Sequence, residues 1–536
     1  MDYTKHFQTK ETPQTEPIPG KQMIRDSAGG YVFPVGDGER LMRFLMLGTE
    51  GGTYYIKERK LTIDSAKAVA RLIEKAGPKV VGAVVDVSTK GRAPKNDPAL
   101  FVLAMCAGLG DEETRAMALA ALPKVARIGT HLFHFAKYVK AFRGWGRGLR
   151  NAVKHWYQDK DVEKLAYQAV KYQQRDGWSH RDLLRLSHPK TDDANRNALY
   201  KWIVSGELEL PNSDKWRGAH PLNVVAGFEY AKKAKHKNEI VNFIQLYNLP
   251  REAIPTDFLT EKDVWEALLQ RMPMTAMIRN LGNMGKVGLL IPGNWDVIER
   301  VRDRLVSPNQ LREARIHPIN VLAALKIYGE GRGYLGKGDW DAVPDIVDAL
   351  DAGFYKTFEN VEPTGKRIVI GLDVSSSMDW EGINGMPYLT PRDGACAMAM
   401  VTFKTEEKCA VMAFSHELRK INMSRHQRLD DVIKHCQGMP FGGTDCALPM
   451  LWALKNKVEA DAFVIYTDNE TWAGKVHPVQ ALEDYRRKMD IPAKLVVVGL
   501  ASNEFSIADP TDGGMMDVVG FDTAAPAIIG DFIANR

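Results

Sequence analysis

Ile368-Val369-Ile370-Gly371-Leu372-Asp373-Val374-Ser375-Ser376-Ser377 decides how the last third of the chain is read. A half-exposed strand would alternate apolar with polar residues. An unbroken apolar run that ends in an acid and hydroxyls instead predicts a strand buried on both faces, with polar side chains released at its carboxyl end. Working outward, the same text recurs as CAVMAFS (409–415), AFVIYTD (462–468) and KLVVVGLA (494–501). Between these runs lie helix-like DGACAMAMVTF (393–403), RLDDVIKHCQ (428–437), CALPMLWALKNK (446–457) and VQALEDYRRKMD (479–490). Parallel strands alternating with helices predict a doubly wound, Rossmann-like α/β domain over 361–536.

Open α/β sheets place their ligands at the carboxyl ends of the strands. Asp373, Ser375 and Ser377 follow the first run, Thr444 follows two glycines, and Asp468 ends the run FVIYT. Two carboxylates and three hydroxyls suit a hard divalent cation that keeps some water, Mg²⁺ rather than zinc. This DxSxS, Thr, Asp order resembles the von Willebrand factor A domain. The resemblance implies a metal-ion-dependent adhesion site, whose open metal position takes an acidic side chain from a protein partner.

Upstream, residues 60 to 360 read as serial helices, among them SAKAVARLIEKAG (65–77), DVEKLAYQAVKYQQR (161–175), DDANRNALYKWIVSG (192–206) and HPINVLAALKIYG (317–329). Asp or Ser at their starts and Gly near their ends are the expected punctuation. A run of helices of 10 to 15 residues without strands predicts either a bundle or, preferably, a stack of helix pairs of the HEAT type, spanning 21–360. Residues 1–20, polar and rich in Pro, Thr and Glu, predict a flexible arm and carry no secretory signal.

The charge is unevenly divided. The whole chain of 536 residues carries a net +5, yet residues 361–536 carry −6 and residues 121–190 carry +10. That basic segment holds Lys124, Arg127, His131, Lys137, Lys140, Arg143, Arg147, Arg150, Lys171, Arg175, Arg185 and His188, interleaved with Trp145, Trp156, Tyr172 and Trp178. Cations neutralise phosphates and aromatic planes stack on unpaired bases, so the combination points to RNA or another single-stranded nucleic acid. The opposing reading puts Trp156 and Trp178 in the core and the cations on a solvated helix face.

The stretches KYQQRDGWSHRDLLRLSHPK (171–190) and RGWGRGLRNAVKHWY (143–157), with the order of the two parts, resemble the TROVE-domain family of Ro ribonucleoproteins. The resemblance implies a ring of HEAT-like repeats closed by the A domain. It implies noncoding Y RNAs on an outer basic surface, single-stranded 3′ ends of misfolded small RNAs in a central hole, and a role in RNA quality control. Lys171, Arg175 and His188 carry over as Y RNA contacts, whereas Lys124, Arg127, His131 and Arg150 are placed by charge and spacing alone.

Other signals carry less. Gly331 to Lys337 imitate a Walker loop, but Gly338 stands where Ser or Thr is required. No nucleophile motif is found, so the expectation is a binding protein and not an enzyme. Five cysteines, an odd number, read as reduced thiols, and with the family they imply a cytoplasmic protein with a nuclear fraction. No run is long enough to span a membrane, and a monomer is expected. The competing reading is a metal-dependent protein-interaction scaffold that does not bind RNA directly; a metal-dependent nuclease comes third.

Overall fold

The computed structural model describes residues 11–48, 66–209, 220–333, 338–358, 361–379, 383, 388–437, 439, 442–500 and 504–535. Residues 334–337, the end of the Walker-like stretch, lie outside these. Two short strands, β1 (Ile24–Arg25) and β2 (Tyr31–Pro34), precede α1 (Asp37–Leu47), α2 (Lys67–Lys90), α3 (Asp97–Leu109), α4 (Glu112–Val125), α5 (Gly129–Phe142), α6 (Arg147–Gln158) and α7 (Val162–Lys171). A hairpin of β3 (Gln174–Arg175) and β4 (Trp178–Ser179) leads into α8 (His180–Ser187), α9 (Ala194–Ser205), α10 (Asn223–Ala231), α11 (Lys237–Tyr247) and α12 (Lys262–Leu269). The helical part ends with α13 (Met274–Lys286), α14 (Trp295–Leu305), α15 (Pro308–Glu313), α16 (Pro318–Gly329) and α17 (Pro344–Lys356).

Local chemistry sets many of these boundaries. Asp111, Asp161 and Asp193 each accept backbone N–H groups of the first turn that follows them, as N-caps do. The long α2 bends at Ala76, whose φ of −154° and ψ of 45° precede Pro78, the residue whose ring cannot continue a straight helix. α7 stops at Lys171, four residues before the helix expected from periodicity. The chain turns there because Asp176 and Gly177, at φ 55° and 77°, form a two-residue hairpin loop.

The helices pack in series. α2 lies on α3 and α4, α4 on α6, α6 on α8, α7 on α10, α10 on α11, and later α13 on α16 and α16 on α17. The array curves back on itself. Arg315 donates to the carbonyl of Thr89 at 2.9 Å, and His317 Nε2 lies 2.9 Å from the carbonyl of Arg92, so the start of α16 meets the end of α2.

The C-terminal part runs β5 (Arg367–Asp373), α18 (Pro391–Thr405), β6 (Lys408–Phe414), β7 (Leu418–Lys420), α19 (Leu429–Gln437), α20 (Leu448–Lys455), β8 (Ala462–Thr467) and α21 (Pro478–Met489). It closes with β9 (Lys494–Gly499), β10 (Phe505–Ser506), β11 (Met515–Val519) and α22 (Ala525–Ala534). The sheet order is β11-β9-β8-β5-β6-β7, parallel except for the antiparallel β7. All four strands anticipated from sequence form the middle of this sheet. The edge strands β7 and β11 did not announce themselves, being short and mixed in polarity.

Alternate residues of the buried strands face different cores. Ile368, Ile370, Leu372, Val464 and Val496 join α18 and α19 in an apolar core continuous with that of the helical array. Val369, Phe463, Ile465 and Val497 pack with α20 and α21 in a second core, which also takes in Ile18, Val32 and Phe33. The flexible arm is therefore a correction for residues 11–20. Gln14 is fully buried, Thr12 and Ile18 nearly so, and β2 pairs with β10, so residues 12–34 complete the α/β domain rather than the helical one. The two parts also meet where Arg92 pairs with Asp522, Lys326 with Asp393 and Arg428 with Asp348.

Candidate metal and nucleic-acid sites

Four of the five expected metal ligands lie at or just beyond the carboxyl ends of β5 and β8, and Thr444 lies in the α19–α20 loop, which Asp445 ties to the end of β6 by donating to the Ser415 carbonyl at 2.9 Å. Asp373 closes β5 and is fully buried, its Oδ1 accepting the Ser375 N–H at 2.9 Å and its Oδ2 the Thr467 hydroxyl at 2.7 Å. Ser375 and Ser377, on either side of Ser376, bring their hydroxyl oxygens to 3.1 Å of each other. Asp468 follows β8, is also fully buried, and accepts the Glu470 N–H at 3.0 Å. The Thr444 loop is fastened to this segment, because its carbonyl accepts N–H groups from both Trp472 and Ala473 at 3.0 Å. That closeness requires Gly443, where a Cβ would stand 2.9 Å from Ala473 Cβ and from the Trp472 ring.

The electrostatics fit a cation. Burial first, and then the charge of Asp468, push the Asp373 carboxyl up to about 7. Glu470, buried and facing Asp468 and then Asp26, is pushed up to about 8. Buried carboxylates that raise one another in this way are relieved by a divalent ion between them. Among the described residues no group of three or more His, Cys, Asp or Glu is gathered as for a metal, so hydroxyls must supply much of any coordination. That donor set matches Mg²⁺ better than a transition metal.

The basic segment separates into two populations. Lys124, Lys137, Lys140, Arg147, Arg150, Arg175, Arg185 and His188 are exposed. Lys140 lies over the Trp178 ring at 5.8 Å, Trp178 packs on Trp145 with centroids 5.5 Å apart, and Lys137 pairs with Asp176 at 3.5 Å. α5 and the β3–β4 hairpin thus bring Lys137, Lys140, Arg175 and two indoles into one face. His134 holds the hairpin from behind, its Nδ1 2.5 Å from Asp176 Oδ2.

Family models match both halves of the chain: the TROVE domain over residues 24–235 and 248–329, and the Ro60 vWA domain over residues 367–533. The RNA-binding protein RO60 of Deinococcus radiodurans is 44% identical over 521 residues, 97% of either chain. The protein of the same description from Caenorhabditis elegans is 37% identical over 585 residues, covering 96% of this chain and 90% of that one. This chain belongs to the Ro60 family. Its architecture agrees with the crystal structure of the Deinococcus radiodurans RO (RSR) protein, with a TM-score of 0.72 and 43% identity over 93% of this chain and all of that one.

Within this Ro60-family fold, three expected RNA contacts are already engaged elsewhere. Arg127 donates to the carbonyl and hydroxyl of Ser88 at 2.8 and 2.7 Å, and burial pushes it down to about 10. His131 sits 3.2 Å from the Asn96 amide and is pushed down to about 3 by burial, then by Arg127, so it is neutral and a poor phosphate ligand. Arg143 donates to the Ala107 carbonyl at 2.8 Å. These side chains tie neighbouring helices together. Trp156 is likewise core, fully buried against Tyr157 and His180.

Lys171 belongs to a different environment from Arg175. It is half-buried over the rings of Tyr167 and Tyr172, held below its ordinary value by desolvation, and lines a cleft of about 170 Å³ with Asn248, Arg251, Glu252 and Arg271. Arg251 and Arg271 lie outside the dense basic segment, so nothing in the local charge pattern marks them. His188 caps the far end of α8, a helix of eight residues and therefore ~12 Å long, away from the hairpin.

Proposed function

We propose that this chain is an RNA-binding protein that holds noncoding RNA on the face built from α5, α6, α8 and the hairpin. The observation that carries this reading is the grouping of exposed Lys137, Lys140 and Arg175 with Trp145 and Trp178. Cations there neutralise phosphates while the half-buried indoles offer edges or faces to unpaired bases. The relatives' description as RNA-binding proteins supports it. The finer reading is that Y RNA occupies the outer face and that single-stranded 3′ ends of misfolded RNAs enter the ring of helices. The chain acts there in quality control, without catalysis.

Affinity measured against salt tests it. With on the order of six phosphates contacted, log affinity should fall with log salt with a slope of about −4 to −5. Lys140→Glu combined with Arg175→Glu should flatten that slope by about two and weaken binding at least ~10-fold. Unchanged binding would overturn the assignment of this face, and intact labelled RNA after long incubation with Mg²⁺ is the expected result against a nuclease.

The metal loops support a second role for the same protein. Asp373, Ser375, Ser377, Thr444 and Asp468 would hold Mg²⁺, leaving a position for an acidic side chain of a partner. Recovery of that partner from cells after ribonuclease treatment would place it on the metal; its loss would place it on the RNA.

A further inference from the structure

The metal loops are held from behind by residues 431 to 460 positions away in sequence. Gln14 is fully buried. Its Nε2 donates to Asp445 Oδ1 at 2.7 Å and to the Val476 carbonyl at 2.8 Å. Its Oε1 accepts from the Thr471 hydroxyl at 2.6 Å and from the Gly474 N–H at 3.2 Å. One amide thus bridges the residue after Thr444 and the residue three beyond Asp468. Asp26 adds a second fastening by accepting the Thr471 N–H at 3.1 Å.

The backbone is shaped for this approach. A Cβ at Gly30 would stand 1.8 Å from the Thr471 carbonyl oxygen, and one at Gly474 would stand 2.3 Å from Gln14 Nε2. Both sides of the contact therefore keep glycine where any other residue would force them apart.

We propose that residues 12–30 form a strap that sets the geometry of the divalent-cation site, with Gln14 as its positioning residue. The inference rests on the metal reading of these loops. Thr444 and Asp468 come from separate loops, and only a fixed distance between them lets one cation take both. The Thr444 carbonyl joins the loops directly, and Gln14 braces that junction from behind without touching the cation. Hydrogen bonds to metal ligands govern affinity roughly 10- to 100-fold, and a brace one residue further out should act at the lower end of that range.

The test uses the full chain with Tb³⁺ as probe, sensitised by nearby Trp472, and Mg²⁺ alone as competitor. Gln14→Met, which keeps the length and removes the amide, should weaken Mg²⁺ about 10-fold. Thr471→Ala, which removes the hydroxyl donor to Gln14, should weaken it to a similar extent and carries the test if Gln14→Met does not fold. Because Gln14 and Thr471 share one hydrogen bond, the double variant should lose less than the sum of the two single losses. Thr12→Val alters the same strap where it meets Gln480 on α21 and should leave Mg²⁺ affinity unchanged. If Gln14→Met or Thr471→Ala melts lower in EDTA yet binds Mg²⁺ as wild type does, the strap is only structural and the proposal fails. If wild type itself binds no Mg²⁺, the metal reading fails beneath it.

Discussion

The metal loops and the basic face differ in how their side chains are positioned. Four of the five metal ligands are placed by the buried strand that ends just before them, so there order in sequence converts directly into order in space. The cations of the helical part sit on helices whose exposed sides are decided only by packing. Some of them were absorbed by that packing: Arg127 and Arg143 satisfy carbonyls of neighbouring helices, and His131 is half-buried beside Asn96. A spacing motif specifies individual residues, whereas charge density specifies a region.

The largest expected effect separates aromatic residues that build the region from those that serve it. Trp156→Ala empties a fully buried site and should destabilise the helical part by about 3–5 kcal/mol, read by chemical denaturation. Trp145→Ala and Trp178→Ala remove half-buried rings beside Lys140 and should weaken RNA more than they weaken the fold. If Trp156→Ala were instead neutral to stability, the division between core and face drawn here would be wrong.

The second effect tests the other side of the comparison. Mg²⁺ at one hundred times its Kd should stabilise the wild type by about 2.7 kcal/mol, and Asp373→Ala should abolish that increment while leaving the salt slope of RNA binding unchanged. An equal rise in melting temperature in both proteins would sink the site. A change in the salt slope would mean that the two regions are not independent.

What the sequence revealed follows the same division. The central strands of the sheet and the ligands Asp373, Ser375, Ser377 and Asp468 were legible because each lies within a few residues of a buried apolar run, whereas Thr444 was marked by the two glycines before it. The hairpin was equally local, signalled by Asp176-Gly177, but the helical periodicity around it concealed the turn. The strap could not be read. Gln14 is paired with residues more than 430 positions away, and a polar segment rich in Pro and Thr looks the same in sequence whether it is docked or free. Closure of the array was hidden for the same reason, since Arg315 and Thr89 are separated by 226 residues.

A smaller effect concerns His131. Its ordinary value is 6.5 and the folded protein holds it at about 3, so the unfolded chain takes up a proton that the native state refuses. That contribution is fully present above about pH 6.5 and is lost progressively as pH falls towards 3. His131→Asn should recover about 1 kcal/mol of the wild type's loss between pH 6.5 and 5, measured as the difference between the two proteins' denaturation curves. RNA affinity between pH 6 and 8 should be the same for both. A pH-dependent difference in affinity would return His131 to the RNA face.

The smallest effect probes the hairpin that joins the two populations of cations. Gly177 has φ of 77° and nothing within 4 Å of where a Cβ would be, so Gly177→Ala meets a backbone penalty of roughly 1 kcal/mol and no steric clash. Gly177→Asn, which tolerates the left-handed region, should behave nearly as wild type. The hairpin strands are two residues each, so the strain should fray this turn locally and leave the melting temperature almost unmoved. Arg175 would then lose its fixed place beside Lys140 and Trp178, and RNA should bind two- to threefold more weakly. If alanine and asparagine bind RNA equally well, the hairpin's geometry contributes nothing and the face acts through net charge alone.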